Sequence, residues 1–307
     1  MVNHELVGGQ DTYLLYGEEA TPAGTAASIA STFGLVKSFS PTVNHNTIKQ
    51  RGFAGSLSGG RESAFQVRGK QDVSFSVELE PQNFNWLKYV LGSVSGLGTV
   101  SSPYVYTAGN SLTSLRVVNN LNNATTDRAE QYKGCYVNSL NIKASVGESL
   151  SCSLDFVALD WDTSATLQSN VALSGTAAYT FVGGSIEIPD ASEIPNVIDS
   201  IDLTITGNAE VKYGVGSVVG KFGIVKSLDH QVKFTVAYVD DTILNLLKAG
   251  NEVATMTLKF TNGNNYVYFA FTGAFPGQFT GTNSLNETVM EEFTFDCRKL
   301  IVTERDT

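Results

Sequence analysis

The sequence predicts an all-β protein with minor α content, built as a tandem duplication of one β-sandwich or half-barrel unit with one short helix per copy. Three observations carry this. Six segments alternate apolar and polar residues with period two. Charged residues make up only 16 % of 307 residues, while Ser, Thr, Asn and 29 Gly supply the polar surface and the turns. Two short helical patterns occur at corresponding places in the two halves.

Residues 1–32 read as an extended N-terminal arm, because Thr21-Pro22-Ala23-Gly24-Thr25 opposes regular structure. The first β domain spans 33–163, a small-residue linker spans 164–178, and the second β domain spans 179–307. In the first domain a strand opens at Ser38-Phe39-Ser40-Pro41-Thr42-Val43. A Gly-rich excursion over 44–69 follows, and Val73, Phe75, Val77 and Leu79 then alternate with polar residues. A helix is expected over 81–91, with Pro81 in its first turn and Gly92 as its stop. Leu150, Cys152, Leu154 and Phe156 give the closing strand.

The second domain repeats the order. Ser200-Ile201-Asp202-Leu203-Thr204-Ile205 answers the segment at Ser38, and a second Gly-rich excursion spans 207–226. The strand at Val232, Phe234, Val236 and Tyr238 precedes a helix over 241–249, with Asp241 as its cap and Gly250 as its stop. Met256, Leu258 and Phe260 form another strand, and Phe295-Asp296-Cys297 is matched to Leu154-Asp155-Phe156 as the closing one. Excursions this long inside compact domains point to contacts made elsewhere.

The formal net charge of −10 argues against a protein that grips nucleic acid, although an acidic wall suits one that phosphates must slide past. The odd, widely spaced cysteines Cys135, Cys152 and Cys297 argue against a disulfide framework or a zinc site, and buried thiols are expected. Neither a secretory leader pattern at Met1-Val2-Asn3-His4-Glu5 nor an apolar run of membrane-spanning length is evident, so no membrane partner is expected.

No catalytic constellation, cofactor or metal is expected. His4, His45 and His230 are isolated, and His45 and His230 read as surface residues, in a turn and at a strand start respectively. Gly216-Ser217-Val218-Val219-Gly220-Lys221-Phe222 is one residue short of a phosphate loop and has Phe222 where Ser or Thr would hold magnesium; a hairpin tip is the favoured reading. The acid pairs at Asp160 and Asp162, Asp240 and Asp241, and Glu291 and Glu292 lie at element ends, where solvation and capping explain them.

Several segments resemble the tail tube proteins of long-tailed bacterial and archaeal viruses, in the subgroup with two tandem tube-like domains. They are Tyr16-Gly17-Glu18-Glu19-Ala20-Thr21-Pro22-Ala23-Gly24-Thr25 and Phe33-Gly34-Leu35-Val36-Lys37-Ser38-Phe39-Ser40-Pro41. Further on come Tyr132-Lys133-Gly134-Cys135-Tyr136-Val137-Asn138-Ser139-Leu140 and Tyr179-Thr180-Phe181-Val182-Gly183-Gly184-Ser185-Ile186. The resemblance implies a structural virion protein, not an enzyme, assembled in the host cytoplasm into stacked rings of the virion tail. Its implied partners are itself, tape-measure and tail-end proteins, and transiting viral DNA without specific binding. Six tube-like units per ring would need three chains in a pseudo-hexameric trimer; a hexamer with the second domain outside is the competing geometry.

On the tube reading, Lys49, Arg51, Arg61, Glu62 and Arg68 in the first excursion are candidates for inter-ring contacts. Asp72, Glu78 and Asp202 are candidates for the lumen. The second excursion carries fewer charges, so equivalent contacts are not required of it. The alternative function is a monomeric β-sandwich binding module, an adhesin or carbohydrate-binding protein with Trp86 and Trp161 as stacking platforms; their positions in a helix and after a buried strand favour core packing instead.

Overall fold

Every predicted alternating segment is a strand with its apolar residues inward, save that Leu150, though buried, lies just before its strand, and Tyr238 lies just past its strand and is exposed. The computed structural model describes residues 11–26, 28–50, 65–123, 126–164, 166–188, 198–238, 241–282 and 288–306. The first half contains β1 (Thr12–Glu18), β2 (Leu35–Gln50), β3 (Phe65–Glu80), α1 (Lys88–Leu91), β4 (Gly92–Ser95), β5 (Tyr104–Ala108), β6 (Leu115–Leu121), β7 (Arg128–Ser145), β8 (Ser151–Ala158) and β9 (Asp160–Ser164). The second contains β10 (Gly184–Glu187), β11 (Ile198–Thr206), β12 (Glu210–Tyr213), β13 (Gly220–Ile224), β14 (Asp229–Ala237), α2 (Thr242–Ala249), β15 (Val253–Asn262), β16 (Asn265–Thr282) and β17 (Met290–Arg305).

The two halves are copies at the level of strand register. In the first, the antiparallel order is β2-β3-β8-β7, with the early part of β7 also pairing β6 and β9; β1 adds to β6. In the second, the order β11-β14-β17-β16 repeats it, with β15 on the early part of β16 and β10 on β15. Residue pairs recur at a constant offset. Val117 faces Tyr132 as Met256 faces Phe271, and Tyr132 faces Trp161 as Phe271 faces Leu300. Leu140 faces Leu154 as Phe279 faces Phe293.

Even the irregularities are shared. A register shift between Val36 and Ser38 matches one between Ile198 and Ser200, and a shift between Val137 and Ser139 matches one between Pro276 and Gln278. The long strands β7 and β16 both carry a left-handed glycine, Gly134 (φ 62°) and Gly273 (φ 69°), at equivalent points. There each strand passes from the outer layer of its sandwich into the shared sheet, a bend that L residues resist.

The layers enclose one apolar core. Phe75 stacks on Phe156 at 4.6 Å and meets Tyr132 of the outer layer at 5.0 Å; Phe234 stacks on Phe295 at 5.7 Å in the second copy. Phe84 reaches across the copies to Tyr179 and Phe269. Trp86 is buried and Trp161 packs against the same core, as expected of both. The three thiols are buried and free.

Several expectations need correction. From Thr12 onward the supposed arm is the first strand of its copy, with Leu14, Leu15 and Tyr16 buried, and β10 is its counterpart. Helix formation starts only at a 3-10 turn over Asn85–Leu87 and ends at α1 with left-handed Gly92. The preceding groups serve distant partners instead: the Pro81 carbonyl accepts from Tyr179 N, and Phe84 N donates to Glu304 Oε1 at 2.7 Å. Helix α2 forms as expected, but the Asp241 side chain makes no cap bond. His45 lies within β2, not in a turn. His230 is buried on the inward face of β14, and burial holds its pKa down, so it is a neutral core residue. The true equivalent of Leu154-Asp155-Phe156 is Phe293-Thr294-Phe295, two residues earlier than expected.

Glu304 fastens the second copy to the first, accepting from Phe84 N and lying 2.8 Å from the Tyr106 hydroxyl. Burial pushes its pKa up to about 7 from an ordinary 4.5, against the lowering effect of those two bonds. Its folded-state pKa is thus the higher one. The stability this group contributes is complete below pH 4.5 and is lost as pH rises through about 7. Glu304→Gln keeps the shape and removes the titration. Denaturant unfolding at a series of pH values should show the variant gaining on the wild type between about pH 4.5 and 7.5, by up to about 3 kcal/mol. A constant gap would remove the assigned titration.

Candidate functional site

The outward face of the shared sheet is a polar wall that runs unbroken from β2 across both copies to β16. It exists because the residues between the buried ones on these strands are Ser, Thr, Asn, Gln and a few charges. Hydrogen bonds lace it across strands. Ser38 Oγ donates to Glu78 Oε2 at 3.0 Å, Ser139 Oγ to Asp155 Oδ2 at 2.7 Å, and Gln231 Nε2 to Asp296 Oδ1 at 2.9 Å. Lys233 pairs with Glu292 at 2.7 Å. Carboxylates at Asp72, Glu78, Asp155, Asp202, Glu292 and Asp296 outnumber the lysines at 70, 143 and 233 on these polar registers, so the wall is acidic.

The copies meet where β7 pairs antiparallel with β11, from Ser139 opposite Thr206 to Ser145 opposite Ser200. On the wall side Asn141 Nδ2 donates to Thr204 Oγ1 at 2.9 Å and to Asp202, and Lys143 lies 3.8 Å from Asp202. On the core side Leu140, Ile142, Ala144, Ile201, Leu203 and Ile205 are all buried. The seam is therefore closed on both faces.

Where they are described, the two excursions pair their strands in the same register. In the first, Ile48 faces Val67 and Gln50 faces Phe65; in the second, Glu210 faces Ile224 and Lys212 faces Phe222. The phosphate-loop-like segment falls in the turn and second strand of this hairpin, as favoured from sequence. The β12–β13 hairpin folds onto the first copy. Gln71 N donates to Val218 O at 2.7 Å, Gly220 N to Leu159 O at 2.9 Å, and the Tyr213 hydroxyl bonds Gln71 O and Asp72 Oδ1, both at 2.7 Å. Gly223 sits so close to the Tyr136 ring that a Cβ there would lie 2.1 Å from it. Both hairpins expose apolar side chains at matching positions, Phe65 (64 %) with Val67 and Phe222 (67 %) with Ile224.

The lumen candidates Asp72, Glu78 and Asp202 share the polar wall. Asp72 is tied at the hairpin root; burial raises its pKa, but Lys70 and the Tyr213 hydroxyl outweigh this and hold the carboxyl below the ordinary range. Of the charged excursion residues, Lys49 is exposed near the end of β2. Arg68 is engaged within the arm, donating to Gln71 Oε1 at 2.9 Å with its Nη2 3.2 Å from His45 Nδ1. Arg51, Arg61 and Glu62 lie outside the described residues. Among the described residues no group of three or more His, Cys, Asp and Glu is placed to hold a metal ion.

What the sequence reading missed are the free edges. Among the described residues β2 pairs only with β3, and residues 275–282 of β16 pair only with β17. The signal was present in Gly134-Cys135-Tyr136-Val137 and Gly273-Ala274-Phe275-Pro276, which align strand β7, whose edge is covered, with strand β16, whose edge is uncovered among the described residues.

Removing the hydroxyl that clasps the second hairpin should loosen it. Tyr213→Phe is expected to speed amide hydrogen exchange over residues 210–224 and to lower stability by about 1–2 kcal/mol. Unchanged exchange there would mean that the backbone bonds from Gln71 and Gly220 hold the hairpin alone.

A family of phage tail tube proteins matches residues 9–297, nearly the whole chain. The chain belongs to that family, a structural one, and is a component of a virion tail. No curated protein matches it.

Proposed function

We propose that three copies of this chain close into a pseudo-sixfold ring, and that stacked rings form a tail tube whose channel passes the viral genome. One observation carries the reading: two register-identical units lie side by side in one sheet, joined by a seam, with the same two kinds of edge left open among the described residues. A head-to-tail joint of this type either closes into a ring or runs on as a filament. Closure removes the exposed edges that a lone sheet would leave prone to aggregation. The continuity of the polar wall through both units favours three chains over six chains with the second unit outside.

In the ring the acidic wall faces the channel, where it repels phosphate and lets DNA slide without sticking. A tape-measure protein occupies that channel before DNA does, and tail-end proteins meet the outermost rings. Assembly takes place in the host cytoplasm. The exposed apolar residues at matching positions, Phe65 with Val67 and Phe222 with Ile224, supply ring-to-ring contacts.

Electron microscopy of the purified protein tests this. End-on views should show rings of six lobes, and native mass spectrometry should give three chains of 32.9 kDa per ring. Monodisperse monomers at all salt concentrations, or six chains per ring, would sink the reading. Placing a charge at both of these positions by combining Phe65→Asp and Phe222→Asp should leave rings intact and shorten tubes severalfold. Tubes of normal length would remove the hairpins from stacking.

A further inference from the structure

We infer that the seam between neighbouring chains copies the seam inside the chain residue for residue: β16 of one copy pairs antiparallel with β2 of the next, Gln278 opposite Asn44, Thr280 opposite Thr42 and Thr282 opposite Ser40. The inference rests on the ring reading and specifies its contact.

The argument is one of equivalence. Strand β16 is the counterpart of β7, and β2 is the counterpart of β11, with Ser38, Phe39 and Val43 answering Ser200, Ile201 and Ile205. Within the chain β7 and β11 pair; among the described residues, the matching edges of their counterparts β16 and β2 are left open. Transferring the in-chain register to the open edges yields the pairs above.

The burial of the core residues supports it independently. At the in-chain seam Leu140, Ile201 and Ile205 are fully buried. Their counterparts Phe279, Phe39 and Val43, on the two edges a partner strand would cover, are only half-buried. Tyr136, under the second hairpin, is 6 % exposed, whereas its counterpart Phe275 is 50 % exposed. The β2–β3 arm of the adjoining copy, the counterpart of that hairpin, covers Phe275 in the ring. Four apolar groups thus change state in one event, which is what a second copy, and not an unrelated partner, would accomplish.

The two seams differ in charge. The in-chain seam holds Lys143 against Asp202; the corresponding inter-chain pair is Thr282 with Ser40. Seam strength between chains therefore depends little on salt. Pro41 gives the new ladder no N–H, so at that position the backbone offers only a carbonyl acceptor.

Cysteine pairs test the register. Thr42→Cys with Thr280→Cys places thiols on directly opposed, exposed positions of the wall. Mild oxidation with oxidised glutathione should give covalent dimers and trimers on non-reducing gels. Ser38→Cys with Thr280→Cys, four residues out of register and about 13 Å away, should give none. Rings by microscopy with no link from the 42–280 pair, or with equal linking from the 38–280 pair, would overturn the register while leaving the ring reading intact. A wild type that forms no rings would overturn both. In addition, Phe275→Asp, at a position already half exposed in the single chain, should leave the circular dichroism and Tm unchanged and lower the ring fraction at least tenfold. Unaltered ring formation would remove the arm from the seam.

Discussion

The antiparallel joint between β7 and β11 is the constraint on which the rest of the molecule depends. It merges two sandwiches into a single sheet, so one wall and one core serve both. An isolated strand pair is marginal in water, because backbone bonds there merely replace bonds to solvent. Here the pair is flanked on one side by Leu140, Ile142, Ile201 and Leu203 with the aromatic core behind them, and on the other by the Asn141–Thr204 and Lys143–Asp202 contacts. Burying that apolar surface, at roughly 25 cal/mol per Å², supplies the driving force that the ladder alone lacks.

Around this joint the copies have diverged in what they add. The first carries the β4–β5 insertion, which pairs with the end of β17 and brings Tyr106 to Glu304. The second carries a hairpin detached from β11 by residues 207–209, which lets it fold back onto the first copy. The linker is also used as structure. Gln82 Nε2 donates to the carbonyls of Ser174 and Thr176, while Gln168 accepts from the Tyr13 hydroxyl and donates its N–H to Asn120 Oδ1. The β4–β5 insertion and the hairpin each tie one copy to the other, while these linker bonds fasten the linker to the first copy.

Much of this was legible in the sequence, for a definite reason. A strand with one buried face must alternate, so Val73 to Leu79, Ile201 to Ile205 and Phe293 to Cys297 announced both their type and their inward residues. The match of Ser38 to Ser200 was legible because both segments keep Ser and Thr at the same spacing. The same periodicity explains the error at the closing strand, since a pattern of period two looks identical after a slide of two residues. Strand β1 gave no alternation, because Leu14, Leu15 and Tyr16 are buried in succession. The late start of α1 depends on Glu304 and Tyr179, far away in the chain, and no local rule anticipates them. Of the site, the polar residues of the wall were readable, but which strand edges stay open is a property of topology.

Carrying two units on one chain also imposes parity. A ring assembled from such chains can hold an even number of units only, whatever angle each joint prefers. Half of its joints are made during folding, at the high effective concentration of a tether. A free single-unit protein must search for every neighbour; in the proposed ring this chain would arrive with every second neighbour in place. Arithmetic of that kind filters errors, since a ring with one unit too many or too few has no way to form.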